Sequence, residues 1–187
     1  MRAKISCLLL LLVLASCSPY RLVEPTQQTI DERYRVTTPV AWTGAAIRNG
    51  ETWTMNGPAL DELNFFAGLG DGRSLVSPKS GAGDPPVFKA RMRANEVMEL
   101  VTDSLAYGGY NRVQGSKLRP AKFGQLPGFR FEFVFTTEDG LKYAGKAIGA
   151  VSEGELHLIL FSAPFAHYFR AYHQTVEQIF TSIDVLS

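Results

Sequence analysis

Residues 129–135, Phe129-Arg130-Phe131-Glu132-Phe133-Val134-Phe135, place an aromatic ring at every second position, and this alternation organises the whole chain. Successive side chains of a β-strand point to opposite faces, so all four rings lie on one face of a sheet. Two more strands are predicted at residues 141–151 and 156–161, after the turns at 138–140 and 153–154. Because such short turns join neighbouring antiparallel strands, the region predicts a β-meander.

The end of the chain predicts an amphipathic helix that follows this meander. Its apolar residues form one stripe about 100° wide: Phe165, Phe169, Tyr172, Val176, Ile179, Phe180 and Ile183. We expect Pro164 to be the first helical residue and the stripe to cover the face with the four phenylalanines. A second helix, predicted at 95–107, would lie behind the sheet. The fold class is therefore α+β, an antiparallel β-sheet with helices packed on both faces, which is an α/β/α sandwich.

The region before the first predicted helix contains short strands and one long loop. Strands are predicted at 34–37, 51–55 and 60–67, the last of them ending at Gly68. The loop at 70–86 holds four glycines and three prolines. Loops of this length inside compact domains are usually either functional or disordered, so we expect it to be the main contact surface for a partner.

The first sixteen residues predict an export signal. Arg2 and Lys4 precede an apolar run at 5–13, which is about half the roughly 20 residues that a membrane-spanning helix needs. The ending Leu14-Ala15-Ser16-Cys17 resembles the lipobox of bacterial lipoproteins. The resemblance implies cleavage before Cys17, a diacylglyceryl group on its sulfur and an acyl chain such as palmitate on the new amino terminus. An ordinary secreted protein with a chance cysteine is the alternative.

The resemblance also sets a location and a domain plan. Ser18, which is not aspartate, implies the outer membrane under the sorting rule of that family. We predict a signal peptide at 1–16, a lipidated amino terminus and tether at 17–29, and a single α+β domain at 30–187. A flexible tether of this length spans about 17–20 Å and would hold the domain clear of the lipid headgroups.

Composition narrows the possible partners. The sequence has 19 basic and 18 acidic residues, and two of the basic ones leave with the signal peptide. Nucleic-acid binding needs a basic excess, so no nucleic-acid partner is predicted. The two cysteines are Cys7 and Cys17, and neither is left free in the domain for a disulfide, a metal or nucleophilic catalysis.

Candidate chemical groups are sparse. His157 lies in an apolar strand, and His167 and His173 are six apart, too far round a helix to share a metal as an i, i+4 pair could. Structural roles are favoured for all three. The run Gly68-Leu69-Gly70-Asp71-Gly72 lacks the spacing and lysine of a P-loop and is interpreted as a turn. No catalytic, cofactor-binding or metal-binding residue and no cofactor is predicted.

The charged clusters of the sequence are more typical of solvated surface than of a catalytic or binding site. The acid pairs are Asp61-Glu62 and Glu153/Glu155, which are flanked by turns. A basic cluster near Pro120 consists of Lys117, Arg119 and Lys122. We interpret it as a solvated edge, with a docking patch as the alternative.

Three segments carry a resemblance to the PsbP-like fold family. They are residues 65–72, Phe-Phe-Ala-Gly-Leu-Gly-Asp-Gly; residues 128–133, Gly-Phe-Arg-Phe-Glu-Phe; and residues 180–185, Phe-Thr-Ser-Ile-Asp-Val. The resemblance implies a mostly non-enzymatic protein that docks to larger assemblies, with no catalytic residues to transfer.

The expected function is thus a lipid-anchored, periplasm-facing interaction module of the cell envelope, not an enzyme. Its partners are the membrane, through lipid on Cys17, and an envelope protein. Two alternatives remain open. The first is a carrier of a small apolar ligand between sheet and helix, where the four phenylalanines would line the pocket. The second is a hydrolase that uses the histidines.

Overall fold

The computed structural model describes residues 19–186, which fold around two β-sheets. The large sheet has eight strands in the order β1-β4-β5-β6-β10-β9-β8-β7, and the small one has the order β11-β3-β2. The strands are β1 (Tyr20–Val23), β2 (Gln27–Ile30), β3 (Tyr34–Thr37), β4 (Trp42–Ile47), β5 (Gly50–Thr54), β6 (Glu62–Leu69), β7 (Asn111–Phe123), β8 (Leu126–Thr136), β9 (Lys142–Ser152), β10 (Glu155–Pro164) and β11 (Asp184–Val185). The helices are α1 (Ala94–Tyr107) and α2 (Arg170–Thr181), and a π-helical turn at Phe165–Phe169 leads into α2.

The predicted meander is present, and one more strand extends it. Strands β7, β8, β9 and β10 pair antiparallel in chain order. Phe131 and Phe133 of β8 lie opposite Ala147 and Gly145 of β9. A Cβ atom on Gly145 would lie 2.2 Å from Cζ of Phe133, so only glycine leaves room for that ring. Small residues on β9 thus allow the row of large rings on β8 to lie flat on the sheet.

The face with the four phenylalanines is covered by α1, not by the terminal helix as we predicted. Val97, Leu100 and Val101 of α1 share one buried cluster with this row, and Phe88 completes it. Chain order explains the choice, because α1 directly precedes β7 and lies against β7 and β8.

The terminal helix packs on the opposite face of the large sheet. Val176, Ile179 and Phe180 share a second buried cluster with Phe161 of β10. Phe169 of the π-helical turn stacks on Phe161, with ring centroids 5.9 Å apart. The helix begins later than predicted, because Pro164 is the last residue of β10.

An ion-paired triad also joins α2 to the sheet. Oε1 of Glu177 accepts hydrogen bonds from Arg130 of β8 at 2.5 Å and from Lys146 of β9 at 2.7 Å. Burial alone would raise the pKa of Glu177, but the two basic partners outweigh it and lower that pKa. The helix is therefore held by directed, charge-assisted bonds as well as by its apolar stripe.

An α/β/α sandwich with a layer of helices on each face is not supported, because residues 19–186 contain only two α-helices, one against each face of the large sheet. The fold is mixed α+β, with a large antiparallel sheet and few helices. The small sheet takes the place of a further helix, since its residues Ile30, Tyr34 and Val36 are buried in the same cluster as α2. No helix in this range has the length and apolar character needed to cross a bilayer.

The amino-terminal part of the fold differs from the expected tether. Residues 20–23 form β1 and pair with β4, and residues 27–30 form β2 and pair with β3. Val23 and Ile30 are buried in the core, which ties both strands to the domain. The first strand of the described residues therefore lies within the segment that we predicted as a tether.

Candidate functional site

The loop at 70–86 is closed at its base by backbone hydrogen bonds. The Gly72 N–H donates to the carbonyl of Phe88 at 2.8 Å, and the Phe88 N–H donates to the carbonyl of Arg73 at 2.7 Å. Two side chains of this region, Leu75 and Phe88, are buried under the sheet. The segment therefore leaves and re-enters the domain at nearly the same point, as Ω-loops do.

The tip of this loop is exposed but tied down. Residues 77–84 are all exposed. The hydroxyl of Tyr107, at the end of α1, accepts from the Lys79 N–H at 2.9 Å and donates to the carbonyl of Gly83 at 2.9 Å. One side chain thus bridges the two arms of the loop. The result is a protruding surface with a defined backbone conformation.

A polar cleft of about 630 Å³ lies beside the base of the loop. It is bounded by the first strands of the large sheet, by the turn after β2 and by the start of the loop. Charged side chains on its walls are Arg21, Asp31, Glu51 and Arg73, and Arg21 pairs with Glu51 at 2.7 Å. The cleft therefore carries charges of both signs around a floor of strand backbone.

A smaller pocket of about 220 Å³ lies between α1 and the sheet. Its walls are mainly apolar and include Val101 and Leu105 of α1 together with Phe133 and Phe135 of β8. The Oγ of Ser104, which is 3% exposed, lines the pocket and has no hydrogen-bond partner within residues 19–186. An unpaired buried hydroxyl is costly, so this wall is suited to a ligand or water that hydrogen-bonds to it.

Polar groups gather at one end of this apolar pocket. Burial raises the pKa of Glu62, nearby Asp61 raises it further, and a hydrogen bond from Asn64 partly opposes the shift. Burial and the Glu62 carboxylate also raise the pKa of Tyr110, whose ring packs on Phe135 with centroids 4.4 Å apart. The pocket thus combines an apolar body with a small group of hydrogen-bonding side chains, an arrangement typical of small-molecule sites.

Comparison with known proteins shows the fold. No protein-family model and no curated protein sequence matches the chain. Among solved structures, cyanobacterial PsbP (CyanoP) from Synechocystis sp. PCC 6803 aligns over 92% of this chain and 99% of its own, at 12% identity and a TM-score of 0.57. The fold is similar to that of this PsbP.

A second solved structure is less similar. It is LpqN, described as involved in cell envelope biogenesis of Mycobacterium tuberculosis, which aligns over 93% of this chain and 88% of its own at 10% identity. Its TM-score of 0.42 is too low to support an inference about this chain. The PsbP-like fold expected from the three sequence segments is confirmed.

Within this PsbP-like fold each of the three histidines packs against aromatic rings. His157 is 7% exposed in β10, beside the rings of Tyr34 and Phe123. Burial lowers its pKa, Glu155 opposes the shift and Arg33 adds to it. His167 packs on Tyr168, and His173 stacks on Phe169. Between Pro19 and Leu186 no group of three or more metal-ligating side chains comes together.

We predicted that both acid pairs are solvated, but the structure shows that they are not uniformly so. Asp61 is fully buried, and its carboxylate accepts hydrogen bonds from the Met55 N–H at 2.7 Å and from the Asn56 N–H at 2.9 Å. It therefore holds the turn between β5 and β6. Glu155 pairs with Arg33 at 3.1 Å, whereas Glu153 is exposed in a turn.

The glycine run begins inside a strand, and the basic cluster lies along another strand. Gly68, with φ of +78°, lies inside β6 where the pairing with β10 shifts register, so it forms a β-bulge; the turn follows at 71–72. Lys117, Arg119 and Lys122 lie on β7, the outer strand of the large sheet. Lys117 pairs with Glu132 at 2.7 Å. Arg119 and Lys122 are exposed, in keeping with a solvated edge.

Of the two predicted site elements, the structure describes one. The tip of the loop at 70–86 is exposed at residues 77–84, and its role as a contact surface for a partner stays a prediction. Cys17, the predicted lipidation site, lies outside the described residues. The apolar pocket was only partly visible in the sequence, because the role of Phe133 and Phe135 as pocket walls depends on which helix covers them.

Proposed function

We propose that the protein is a lipid-anchored, non-catalytic interaction module that faces the periplasm and docks an envelope partner through the loop at 70–86. The observation that carries the proposal is the loop itself, whose tip is exposed while Tyr107 bridges Lys79 and Gly83. A preordered loop loses little conformational entropy when a partner binds, which favours affinity. The neighbouring polar cleft adds charged groups that can orient the partner.

Anchoring rests on the lipobox at 14–17, and the outer membrane is the proposed site. Exchange of Cys17 for serine removes the thiol that accepts the diacylglyceryl group. We expect the Cys17→Ser protein to lose metabolic labelling by palmitate and to leave the membrane fraction or accumulate as precursor. Acyl labelling that persists in this variant would refute the anchor.

Site-specific photo-crosslinking in intact cells tests the docking surface. A photoreactive residue at Ser80, on the loop tip, should give one discrete crosslinked species. The matched control is Glu138, which is equally exposed on the turn between β8 and β9. Equal patterns at the two positions, or no product at Ser80, would contradict docking through the loop. Tyr107→Phe should weaken the Ser80 product without unfolding the protein, because it removes the bridge between the loop arms.

A second candidate function, a carrier of a small apolar ligand, is favoured by the pocket between α1 and the sheet. Its volume of about 220 Å³ exceeds that of a cavity of about 150 Å³ that accepts benzene. The unpaired Oγ of Ser104 can accept a hydrogen bond from a ligand donor. We therefore expect a compact aromatic or short aliphatic ligand that carries one donor group.

Indole and indene form a matched pair of probes for this pocket, since they have the same shape but only indole has an N–H donor. We expect indole to shift the NMR methyl signals of Val101 and Leu105 and to bind more tightly than indene. Ser104→Ala should remove the difference between the two probes. Val101→Phe, which fills the pocket, should abolish binding of both probes. If neither probe shifts these signals, the protein is not a carrier of such ligands.

A further inference from the structure

Strand β1 has one face packed against the domain and one face with two exposed large side chains. Val23 is buried in the core, and Arg21 on the same face pairs with Glu51. On the other face Leu22 is 65% exposed and Tyr20 is 50% exposed, the highest values among the large apolar residues from 19 to 186. A short outer strand thus presents two large side chains, two residues apart, to its surroundings.

The residues of β4 that lie opposite these two side chains are uncharged. In the antiparallel register Tyr20 lies opposite Ala45 and Leu22 lies opposite Thr43 of β4. We call these four residues the β1 patch. Helix α1 lies against β7 and β8 at the far side of the sheet, so it does not cover the patch.

The position of the patch along the chain points to its occupant. Three Cα–Cα steps separate Cys17 from Tyr20, and these span at most about 11 Å. A lipid on Cys17 places that residue at the headgroup level of the bilayer. The flexible tether that we predicted at 17–29 would allow the domain to stand clear, but β1 already pairs with the large sheet from Tyr20 on. The patch is therefore confined to the membrane surface.

We propose that the β1 patch contacts the lipid bilayer, with Tyr20 and Leu22 inserted at the headgroup boundary. Tyrosine is enriched at that boundary because its ring is apolar and its hydroxyl is polar. The proposal rests on the lipid anchor proposed above and adds the face that the domain turns to the membrane. It assigns the exposed face of an outer strand to lipid instead of to another protein.

Depth-dependent quenching of a fluorophore tests this orientation. The lipidated protein carrying Leu22→Cys is labelled with the fluorophore NBD and reconstituted in phosphatidylethanolamine–phosphatidylglycerol vesicles that contain brominated lipid. A processed, lipidated chain has no other free thiol. The matched control is Ser116→Cys on β7, which is exposed at the opposite edge of the sheet. Seven strand spacings, about 33 Å, separate the two edges.

We expect a blue-shifted emission at position 22 and severalfold stronger quenching there than at position 116. Mass spectrometry of the amino-terminal peptide reports the lipid independently. If the lipid is present and the protein floats with the vesicles while position 22 remains unquenched, the proposed membrane face is wrong and the anchor stands. If the lipid is absent, the anchor itself fails. If position 22 crosslinks to another protein and its fluorophore is not quenched by the brominated lipid, the proposal is also overturned.

Discussion

Replacement of Phe131 by alanine tests whether the alternating strand is the centre of the core. The side chain is 2% exposed and lies between Phe129 and Phe133, with ring centroids 6.3 and 6.2 Å away. Large-to-small changes of buried phenylalanine cost about 3–5 kcal/mol in free energy of unfolding. The actual value depends on how far the neighbours can collapse into the space.

The structure places this substitution in the upper half of that range. Directly opposite Phe131 on β9 is Ala147, and Gly145 and Gly149 flank it on the same strand. None of these three has a side chain large enough to move into the cavity. Loss of the two ring contacts adds about 0.5–1.5 kcal/mol each when such pairs are well formed. We therefore expect a destabilisation of about 4–5 kcal/mol, a large part of the 5–15 kcal/mol typical of a domain.

Urea unfolding followed by tryptophan fluorescence measures the effect. Trp42 and Trp53 are buried in the cluster on the other face of the sheet, so they report global unfolding and not local change near position 131. The matched control is Leu22→Ala, for which exposure predicts a change within about 0.5 kcal/mol. A loss below about 1 kcal/mol for Phe131→Ala at unchanged m-value would refute the view that this row of rings is the core.

Further predictions concern close packing, the ion-paired triad and the loop. Gly145→Ala should lower the free energy of unfolding by about 1–3 kcal/mol because the new methyl group collides with Phe133, whereas Gly83→Ala, in open space, should be nearly neutral in the same urea titration. Glu177→Gln should cost about 1–2 kcal/mol at neutral pH. Because the folded-state pKa of Glu177 is lowered, its contribution is full above the ordinary glutamate pKa and is lost as the pH falls below about 4, so unfolding curves of the two proteins should converge in acid. Tyr107→Phe should speed hydrogen exchange at 77–84 with little change in global stability; equal exchange in both proteins would show that the hydroxyl does not order the loop.

Local periodicity was sufficient for the elements with one strongly apolar face. The repeat of two in β8 and the helical spacing of Val97, Val101 and Leu105 both record burial directly in the sequence. Such patterns identify the element and its inner face. They do not identify the partner, since α1 and α2 offer similar apolar stripes, and the assignment of the two helices to the faces was therefore reversed.

Edge strands were not predicted, because they lack a strongly apolar face. Strand β7 spans Asn111–Phe123 but is mostly exposed, so its sequence of basic residues, glycine and Pro120 has no alternating apolar pattern. Its pairing with β8 supplies the stability that its own side chains do not. Proline is tolerated there because an outer strand has one unpaired side. Strand β1 was missed in the same way, with Val23 its one buried residue.

The candidate sites depended on side-chain contacts that no local pattern records. Asp61 looks like a solvated acid in the sequence, yet the fold buries it, and its carboxylate accepts hydrogen bonds from the backbone of residues 55 and 56. The apolar pocket depends on α1 covering Phe133 and Phe135. Only the loop at 70–86 could be found locally, because glycine and proline mark irregular backbone wherever they cluster.

The location of β1 also constrains what the loop can bind. Tyr20 and Arg21 of β1 line the same polar cleft as Gly70 and Arg73 at the base of the loop. If a lipid on Cys17 holds β1 against the bilayer, the cleft and the base of the loop lie near that bilayer as well. A freely tethered domain could search the periplasm, whereas this arrangement favours partners that are themselves at the membrane surface. We therefore expect the species crosslinked at Ser80 to fractionate with membranes after carbonate extraction or as a lipid-anchored protein, and a partner recovered only from the soluble periplasm would contradict the fixed orientation.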